Sequence, residues 1–253
     1  MVIKYLLSFM LLFALLSCGA DRSARFSEDD VQKVGYEVVW YSGFTLPDLL
    51  EQAVKVTSLS DISSLLEQPW YASFNVLSEN SISPLTLSTC EEYLAISSAP
   101  ISTVNEHEAS AFMEIKAMCR AAQTISNAKP ATRSFLSEFR FDEDLPDQLP
   151  KSLALFTSVA EGLAQTKNDS LKYWSDVNKI HAVELAGANK ALYQHDAGTQ
   201  QIELVAKGDF NSDGIEDLLI SSRESVEGGT YNAIRIVGIS KLSEGGKFVE
   251  LPR

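Results

Sequence analysis

The stretch that decides the fold of the C-terminal part is Gly208-Asp209-Phe210-Asn211-Ser212-Asp213-Gly214-Ile215-Glu216-Asp217-Leu218. Oxygen-bearing side chains occupy positions 1, 3, 5 and 9 of this loop: Asp209, Asn211, Asp213 and Asp217. Gly214, at position 6, allows the backbone to turn sharply. Because Ca²⁺ takes roughly six to eight oxygen ligands, carboxylates that alternate around a glycine turn are one way to supply them. The stretch therefore predicts a bound Ca²⁺ ion. The alternative is a metal-free turn, since Asn, Asp, Ser and Gly favour turns by themselves.

The loop opens like an EF-hand but lacks the rest of that motif. An EF-hand needs a bidentate Glu at position 12, with a helix on each side. Position 12 is Ile220 here, and the flanking residues 201–206 and 218–222 are rich in aliphatic and β-branched side chains. Such short segments favour strands. We therefore expect a turn within a β-hairpin that joins these two segments.

In this form the loop resembles the FG-GAP/VCBS calcium loop of integrin-type β-propeller repeats, whose pattern is roughly G-D-x-[DN]-x-D-G-x-x-D. The resemblance implies that the side chains of Asp209, Asn211, Asp213 and Asp217 and the backbone carbonyl of Ile215 bind Ca²⁺. It covers about a dozen residues. A propeller contains several blades of about four strands, whereas the sequence has one copy of the loop. We therefore do not expect a complete propeller.

The N-terminus has the pattern of a lipoprotein signal. Lys4 precedes an apolar run, residues 5–16, which is too short for a bilayer core that needs roughly 20 helical residues. The run ends in Leu15-Leu16-Ser17-Cys18, which resembles the bacterial lipobox. The resemblance implies that residues 1–17 are removed and that Cys18 receives a diacylglycerol and an N-acyl chain such as palmitate. An ordinary cleaved signal peptide is the alternative.

These chains would hold the protein stably on a membrane, which a single acyl chain does not. Gly19 follows Cys18, where an Asp would resemble the inner-membrane retention signal. We therefore expect an outer-membrane lipoprotein of the cell envelope that faces the periplasm or the cell surface. Residues 18–30 are small, polar or charged, and this composition predicts a flexible tether.

The chain is acidic, with a formal net charge of −13. Removal of Lys4 with the signal would make it more acidic still. This charge disfavours nucleic acid as a partner and leaves no polybasic patch for anionic lipids. It is compatible with the binding of cations.

The predicted fold class is α+β, with a mostly helical domain over residues 31–180 and a β-rich FG-GAP/VCBS-like domain over 181–253. The longest predicted helix begins near Asn105 and ends near Ser126, because its apolar residues recur at helical spacing. From about residue 180 the pattern changes to period two with intervening glycines, which is typical of a small antiparallel sheet.

Shorter helices are predicted from their caps. Asp61 has the position of a cap for a helix over residues 62–67. Ser88 and Glu91 have the spacing of a capping box for a helix that ends near Ser97.

Cys90 and Cys119 form a pair if Cys18 is lipidated. An exported chain meets an oxidising compartment, so we expect a disulfide between them. The chain-entropy model gives about 3.5 kcal/mol of stabilisation for a loop of about 30 residues. Two buried free thiols are the alternative.

No motif of a known catalytic centre is present, and this predicts a protein that is not an enzyme. His107, His181 and His195 are isolated in the sequence. The acidic run 142–147 is a solvated loop or a second cation site. We therefore expect a non-catalytic binding or scaffold protein whose partner is an envelope protein or a glycan. The alternative is an envelope hydrolase whose site is assembled from scattered residues, as a catalytic triad is.

Overall fold

A seven-stranded antiparallel sheet forms the centre of the molecule in the computed structural model, which describes residues 35–156, 159–196, 198–226 and 232–252. Its strands are β1 (Val39–Trp40), β5 (Ile180–Gly187), β6 (Lys190–His195), β7 (Gly198–Gly208), β8 (Asp217–Val226), β9 (Asn232–Lys241) and β10 (Phe248–Glu250). The strands lie in the order β10-β9-β8-β7-β6-β5, and β1 also pairs with β7.

A second sheet and five α-helices lie in the N-terminal and middle parts of the described chain. The small sheet contains β2 (Phe74–Ser78), β3 (Leu85–Leu87) and β4 (Ile101–Thr103), in the order β3-β2-β4. The helices are α1 (Leu59–Leu65), α2 (Cys90–Ile96), α3 (Ala109–Ser126), α4 (Val159–Lys167) and α5 (Trp174–Val177). Short 3₁₀ turns occur at Leu46–Leu49, Glu106–Glu108, Leu145–Asp147 and Lys151–Leu153.

The predicted fold class is wrong. Residues 31–180 were expected to be mostly helical, but their described part contains β1 to β4, and most of its helices have only four to nine residues. In β2, Phe74, Val76 and Ser78 are buried while Asn75 and Leu77 are exposed. This alternation is the period-two signal of a strand. The sheet after residue 180 is also larger than expected, because β1 from the N-terminal part joins it.

Helix caps explain where the short helices begin. Ser58 caps α1 and forms a capping box with Asp61, which was expected to be the cap itself. Thr89 caps α2 and pairs with Glu92, one residue after the predicted Ser88 and Glu91. In both boxes the carboxylate accepts amides of the preceding turn, which lowers the pKa of Asp61 and of Glu92. Tertiary packing then supplies what a helix of seven residues lacks in length.

The central strands of the large sheet are buried on both faces, whereas the edge strand β5 is mostly exposed. On one face α3 packs with the small sheet and α1, and Val205 and Leu219 contribute to that core. On the other face Leu204, Leu218 and Ile220 pack against the segment that contains Leu145, Leu149 and Trp174. Successive side chains of β7 and β8 point to opposite faces of the sheet and therefore belong to two different cores.

Candidate functional site

The acidic loop lies between β7 and β8. The ladder of these two strands ends at the pair Gly208 and Asp217, so Asp217 is the first residue of β8. Ser212 has a φ of 65° and Gly214 a φ of 82°, both in the left-handed region. Glycine adopts this conformation freely, whereas a serine is strained there. These two residues reverse the chain between the strands.

The side chains of the loop accept hydrogen bonds from its own backbone. Asp209 accepts the amides of Asp213 at 3.1 Å and of Gly214 at 2.9 Å. Asp213 accepts the amide of Ile215 at 2.8 Å and the side-chain amide of Asn211 at 2.8 Å. These bonds fix the positions of Asp209, Asn211 and Asp213 around the turn. Each carboxylate oxygen has two lone pairs, so an oxygen that accepts one hydrogen bond keeps one lone pair free.

The loop is docked on the segment that follows α3. The backbones of Lys129 and Asp209 exchange two hydrogen bonds, of 3.0 and 2.9 Å. The carbonyl of Gly214 accepts the amides of Thr132 and Arg133 and the hydroxyl of Thr132. A Cβ on Gly214 would lie 3.0 Å from that hydroxyl oxygen. The loop therefore has one conformation imposed both by its own sequence and by a segment distant in the chain.

Asp217 is the most buried acid of the loop. Its side chain is shielded from solvent, and its Oδ2 accepts the amide of Phe210 at 3.0 Å. Its Oδ1 is buried and has no hydrogen-bond partner of normal geometry. Ser240, which pairs with Asp217 across β8 and β9, is near enough to lower the pKa of Asp217 but does not meet the geometry of a full hydrogen bond. One oxygen of this carboxylate therefore lacks the partner that burial requires.

The pKa of Asp217 is raised to about 6, mainly because burial disfavours the charged form. The carboxylates of Asp213 and Asp209 raise it further by repulsion, while Ser240 and the amide of Phe210 lower it. None of the three loop carboxylates forms a salt bridge within the described residues. Three acids therefore share one region, and no cationic side chain of the described residues lies within 4.0 Å of them.

The loop residues fit a hard cation in their chemistry, although they do not form a closed cage. All the donors are oxygens, which Ca²⁺ prefers, and Asp217 Oδ1 is a buried acceptor without a full partner. No three His, Cys, Asp or Glu side chains in the described ranges converge closely enough to hold a metal ion. Ile215 belongs to the same loop, and its amide is the donor to Asp213. The calcium ligands, Asp209, Asn211, Asp213, Ile215 and Asp217, stay a prediction.

Glu216 belongs to the site and was not anticipated from the sequence. It is buried, and its Oε2 accepts the hydroxyl of Ser134 at 2.5 Å. The backbone amide of Glu216 also donates to the carbonyl of Arg133. Because Ser134 lies 82 positions earlier in the chain, no local pattern connects the two residues. Glu216 points to the docking segment, whereas its neighbour Asp217 points to the loop.

The structure describes two of the three cysteines, and these two form a disulfide. Cys18 and the whole lipobox lie outside the described residues. Cys90 is the first residue of α2 and Cys119 lies in α3; their sulfur atoms are joined, with Cα atoms 5.2 Å apart. This separation is normal for a disulfide. The bond connects the two helices at a buried position.

A polar cleft, separate from the acidic loop, lies where β5, β6, β7 and β8 adjoin. It has a volume of about 490 Å³ and is lined by His181, His195, Thr199 and Ser225, among others. Nε2 of His181 lies 2.5 Å from Oδ1 of Asp196. This contact lowers the pKa of Asp196, while burial lowers the pKa of His195. The fold thus brings together two histidines that are isolated in the sequence.

The acidic run 142–147 forms a turn. Oδ1 of Asp142 accepts the amides of Asp144 and Leu145 and so starts the 3₁₀ turn Leu145–Asp147. Its Oδ2 lies 3.4 Å from Nε of Arg140. Asp142 therefore has both capping and ionic partners. His107 lies in the 3₁₀ turn that precedes α3 and does not line the cleft at β5–β8.

None of the helices within the described ranges is long and apolar enough to cross a membrane. No protein-family model matches the chain, and no curated protein or solved structure is significantly similar to it.

Proposed function

We propose that this chain is an exported lipoprotein, anchored through Cys18, that binds Ca²⁺ at the loop 209–217. The ion stabilises the hairpin of β7 and β8, and the folded part serves as a non-catalytic binding or scaffold module of the cell envelope. The observation that carries the calcium part is Asp217: a buried carboxylate with one oxygen that lacks a full partner, beside two further carboxylates.

Electrostatics supports a cation rather than an empty turn. Two like charges 4 Å apart repel by about 1 kcal/mol in water and by about 4 kcal/mol at the effective dielectric typical of protein surfaces. Protonation of Asp217 relieves part of this repulsion at low pH, and a divalent cation relieves it at neutral pH. Since the loop is docked on residues 129–134, most of its ordering has occurred before an ion binds.

Isothermal titration of Ca²⁺ into the purified, chelator-treated protein tests the site. We expect a single site in the wild type and no measurable heat of binding for Asp213→Ala. Asp144→Ala is the matched control, because this acid lies in the other acidic turn, and its titration should resemble that of the wild type. No heat with the wild type would disprove the calcium site.

The anchor rests on the lipobox alone, so its experiment is separate. We expect mass spectrometry of the membrane-extracted protein to show acylated Cys18 at the N-terminus, and Cys18→Ser to move the protein to the soluble fraction. An unmodified Cys18 in the membrane extract would contradict the anchor while leaving the calcium site untouched.

The partner is expected to be an envelope protein or a glycan. The acidic net charge and the coverage of the central strands on both faces support a module that binds through loops rather than through an open sheet. Affinity capture from envelope extracts, with and without chelator, should recover a partner that depends on Ca²⁺. A glycan array then tests whether the partner is a glycan rather than a protein.

A second candidate function is an envelope hydrolase, and the cleft at β5–β8 favours it. There Asp196 contacts an imidazole, as in a catalytic triad, and Ser225 lines the same cleft. No hydroxyl within the described residues bonds the ring of His181, so a nucleophile is not in place. Labelling with a fluorophosphonate that is lost in Ser225→Ala would establish the hydrolase. An unlabelled wild type would leave the binding module as the function.

A further inference from the structure

A cavity of about 330 Å³ lies on the side of the sheet opposite α3. The ends of β9 and β10 and the segment 138–148 form its walls. It is separate from the acidic loop, whose residues do not line it. Neither the calcium site nor the anchor gives this cavity a role.

Lys241 is the buried cation of this cavity. It lines the cavity with only 5% of its surface exposed, at the end of β9. Phe248 is its cross-strand partner, so both side chains project from the same face of the sheet. Within the described residues no carboxylate lies within 4.0 Å of the ammonium group, and no acceptor forms a hydrogen bond with it. A buried charge normally has such a partner.

The nearest acidic element does not fill this role. Asp142 also lines the cavity, but its Oδ1 accepts two amides of its own turn and its Oδ2 faces Arg140. Glu138 and Asp144 also line the cavity, but both are exposed to solvent. Among the described residues Lys241 thus has no acidic partner, and the exposed rim carries Arg140 as well as Glu138 and Asp144.

Two aromatic rings form part of the cavity lining. Phe139 and Phe248 both line the cavity, with ring centroids 5.9 Å apart and planes at 81°. Gln148 adds an amide, and its backbone carbonyl accepts the amide of Phe248. Most of the lining is polar or charged, and the apolar surface is confined to Phe139, Leu145 and Phe248. The volume is at the lower end of the roughly 300–1,000 Å³ range of small-molecule sites.

We propose that this cavity binds a small organic monocarboxylate, whose carboxylate pairs with Lys241 and whose apolar body lies against Phe139 and Phe248. The carboxylate supplies an acceptor that Lys241 lacks among the described residues. The rings bury the apolar body. A second carboxylate would meet only the solvent-exposed rim, where Arg140 lies among Glu138 and Asp144, so it should add little affinity.

The experiment uses three probes with the same ring: 3-phenylpropionate, 3-phenylpropanol and the dicarboxylate phenylsuccinate. Their dissociation constants for the full-length chain are measured by ligand-observed NMR titration. We expect 3-phenylpropionate to bind at least about tenfold more tightly than the alcohol, because the alcohol forms no charge-assisted bond with Lys241. Phenylsuccinate should bind no more tightly than the monocarboxylate.

Variants of Lys241 test the pairing. Lys241→Met keeps the length and burial of the side chain and should weaken 3-phenylpropionate binding at least about tenfold. Lys241→Arg keeps the charge and should retain most of the affinity. Lys247→Met is the control, since Lys247 lies over the ring of Tyr173 at 3.7 Å and does not line the cavity; its affinity should equal that of the wild type.

Three results would overturn the proposal: no binding of 3-phenylpropionate at millimolar concentration, equal affinity for the acid and the alcohol, or equal affinity in Lys241→Met and the wild type. Should Lys241→Met fail to fold, as judged by circular dichroism, the comparison of Lys241→Arg with the wild type, together with the three probes, still decides the question. None of these outcomes depends on Ca²⁺.

Discussion

Two acidic turns of this protein differ in how their charges are balanced. The loop 209–217 collects Asp209, Asp213 and Asp217 with no salt bridge in the described structure, and the pKa of Asp217 rises to about 6. In the run 142–147, Asp142 accepts two amides at the start of the 3₁₀ turn, and its Oδ2 lies 3.4 Å from Nε of Arg140.

The comparison teaches that two turns of similar acidity can differ in the burial and the neighbours of their carboxylates. Both stretches are rich in Asp, and both form turns. What differs is burial together with the neighbouring cations, since Asp217 is enclosed whereas Asp144 and Glu143 face solvent. A solvated carboxylate has little to gain from an ion, because water already compensates its charge. The predictions below test this difference from the largest expected effect to the smallest.

The largest effect should be that of calcium on stability. At a concentration about 100 times its dissociation constant, an ion that binds only the folded state adds about 2.7 kcal/mol. For a chain of this size we expect Tm to rise by roughly 5–10 °C. Asp217→Asn should abolish most of the rise, and differential scanning calorimetry measures it. Asp144→Asn, in the other turn, should keep it; an equal loss in both variants would contradict the distinction between the turns.

The next effect concerns pH in the absence of metal. The pKa of Asp217 is higher in the folded state, about 6, than its ordinary value of 3.8. The ionised form therefore penalises folding above about pH 6, and the penalty disappears as pH falls towards 4. We expect the contribution of Asp217 to make the chelated protein more stable as pH falls from 7 to 5.

Urea unfolding of Asp217→Asn should lack this contribution, because an amide does not titrate. With saturating Ca²⁺ the wild type should show the opposite trend, since protons compete with the ion for the carboxylate. Identical pH profiles for the chelated wild type and Asp217→Asn would show that this group is not the one that titrates.

Gly214→Ala should cost about 1–3 kcal/mol. At a φ of 82° any side chain is strained, and the new Cβ would lie 3.0 Å from the hydroxyl oxygen of Thr132. Ser212→Gly is the opposite test in the same loop, because Ser212 already has a φ of 65°. It should be neutral or stabilise by up to about 1 kcal/mol. Urea unfolding of both variants measures these values, and a neutral Gly214→Ala would show that the docked loop adjusts.

The smallest effect is expected in the other turn. Asp142→Ala removes the acceptor for the amides of Asp144 and Leu145, and the loss of such a cap costs about 1 kcal/mol. Glu143→Ala, an exposed neighbour, should be neutral. Calcium affinity should be unchanged in both variants. A calcium affinity that falls with Asp142→Ala would make this turn a cation site after all.

Local signals in the sequence predicted part of the fold. The apolar spacing that predicted a helix from Asn105 to Ser126 corresponds to α3 (Ala109–Ser126) after a 3₁₀ turn. Capping residues marked α1 and α2 to within a few positions. These features depend on neighbours three or four residues apart, so the sequence carries them directly.

The fold class could not be predicted in the same way. β2 has only five residues, and its exposed Leu77 is apolar, so the alternation of buried Phe74, Val76 and Ser78 is weak in the sequence. β1 has two residues, and it is a strand because β7 offers Lys207 and Ala206 as partners. Strand pairing over such distances depends on contacts that no short window contains.

The sequence by itself determined the acidic loop: its oxygen donors at alternate positions and its glycine turn are local properties of a few residues. The three-dimensional arrangement alone establishes that Asp217 is buried, that Ser134 donates a hydrogen bond to Glu216, and that no described carboxylate pairs with Lys241 in its cavity. The physical reason is that a carboxylate or an ammonium group acquires its energy from its surroundings. Burial and opposite charge are supplied by segments far away in the chain.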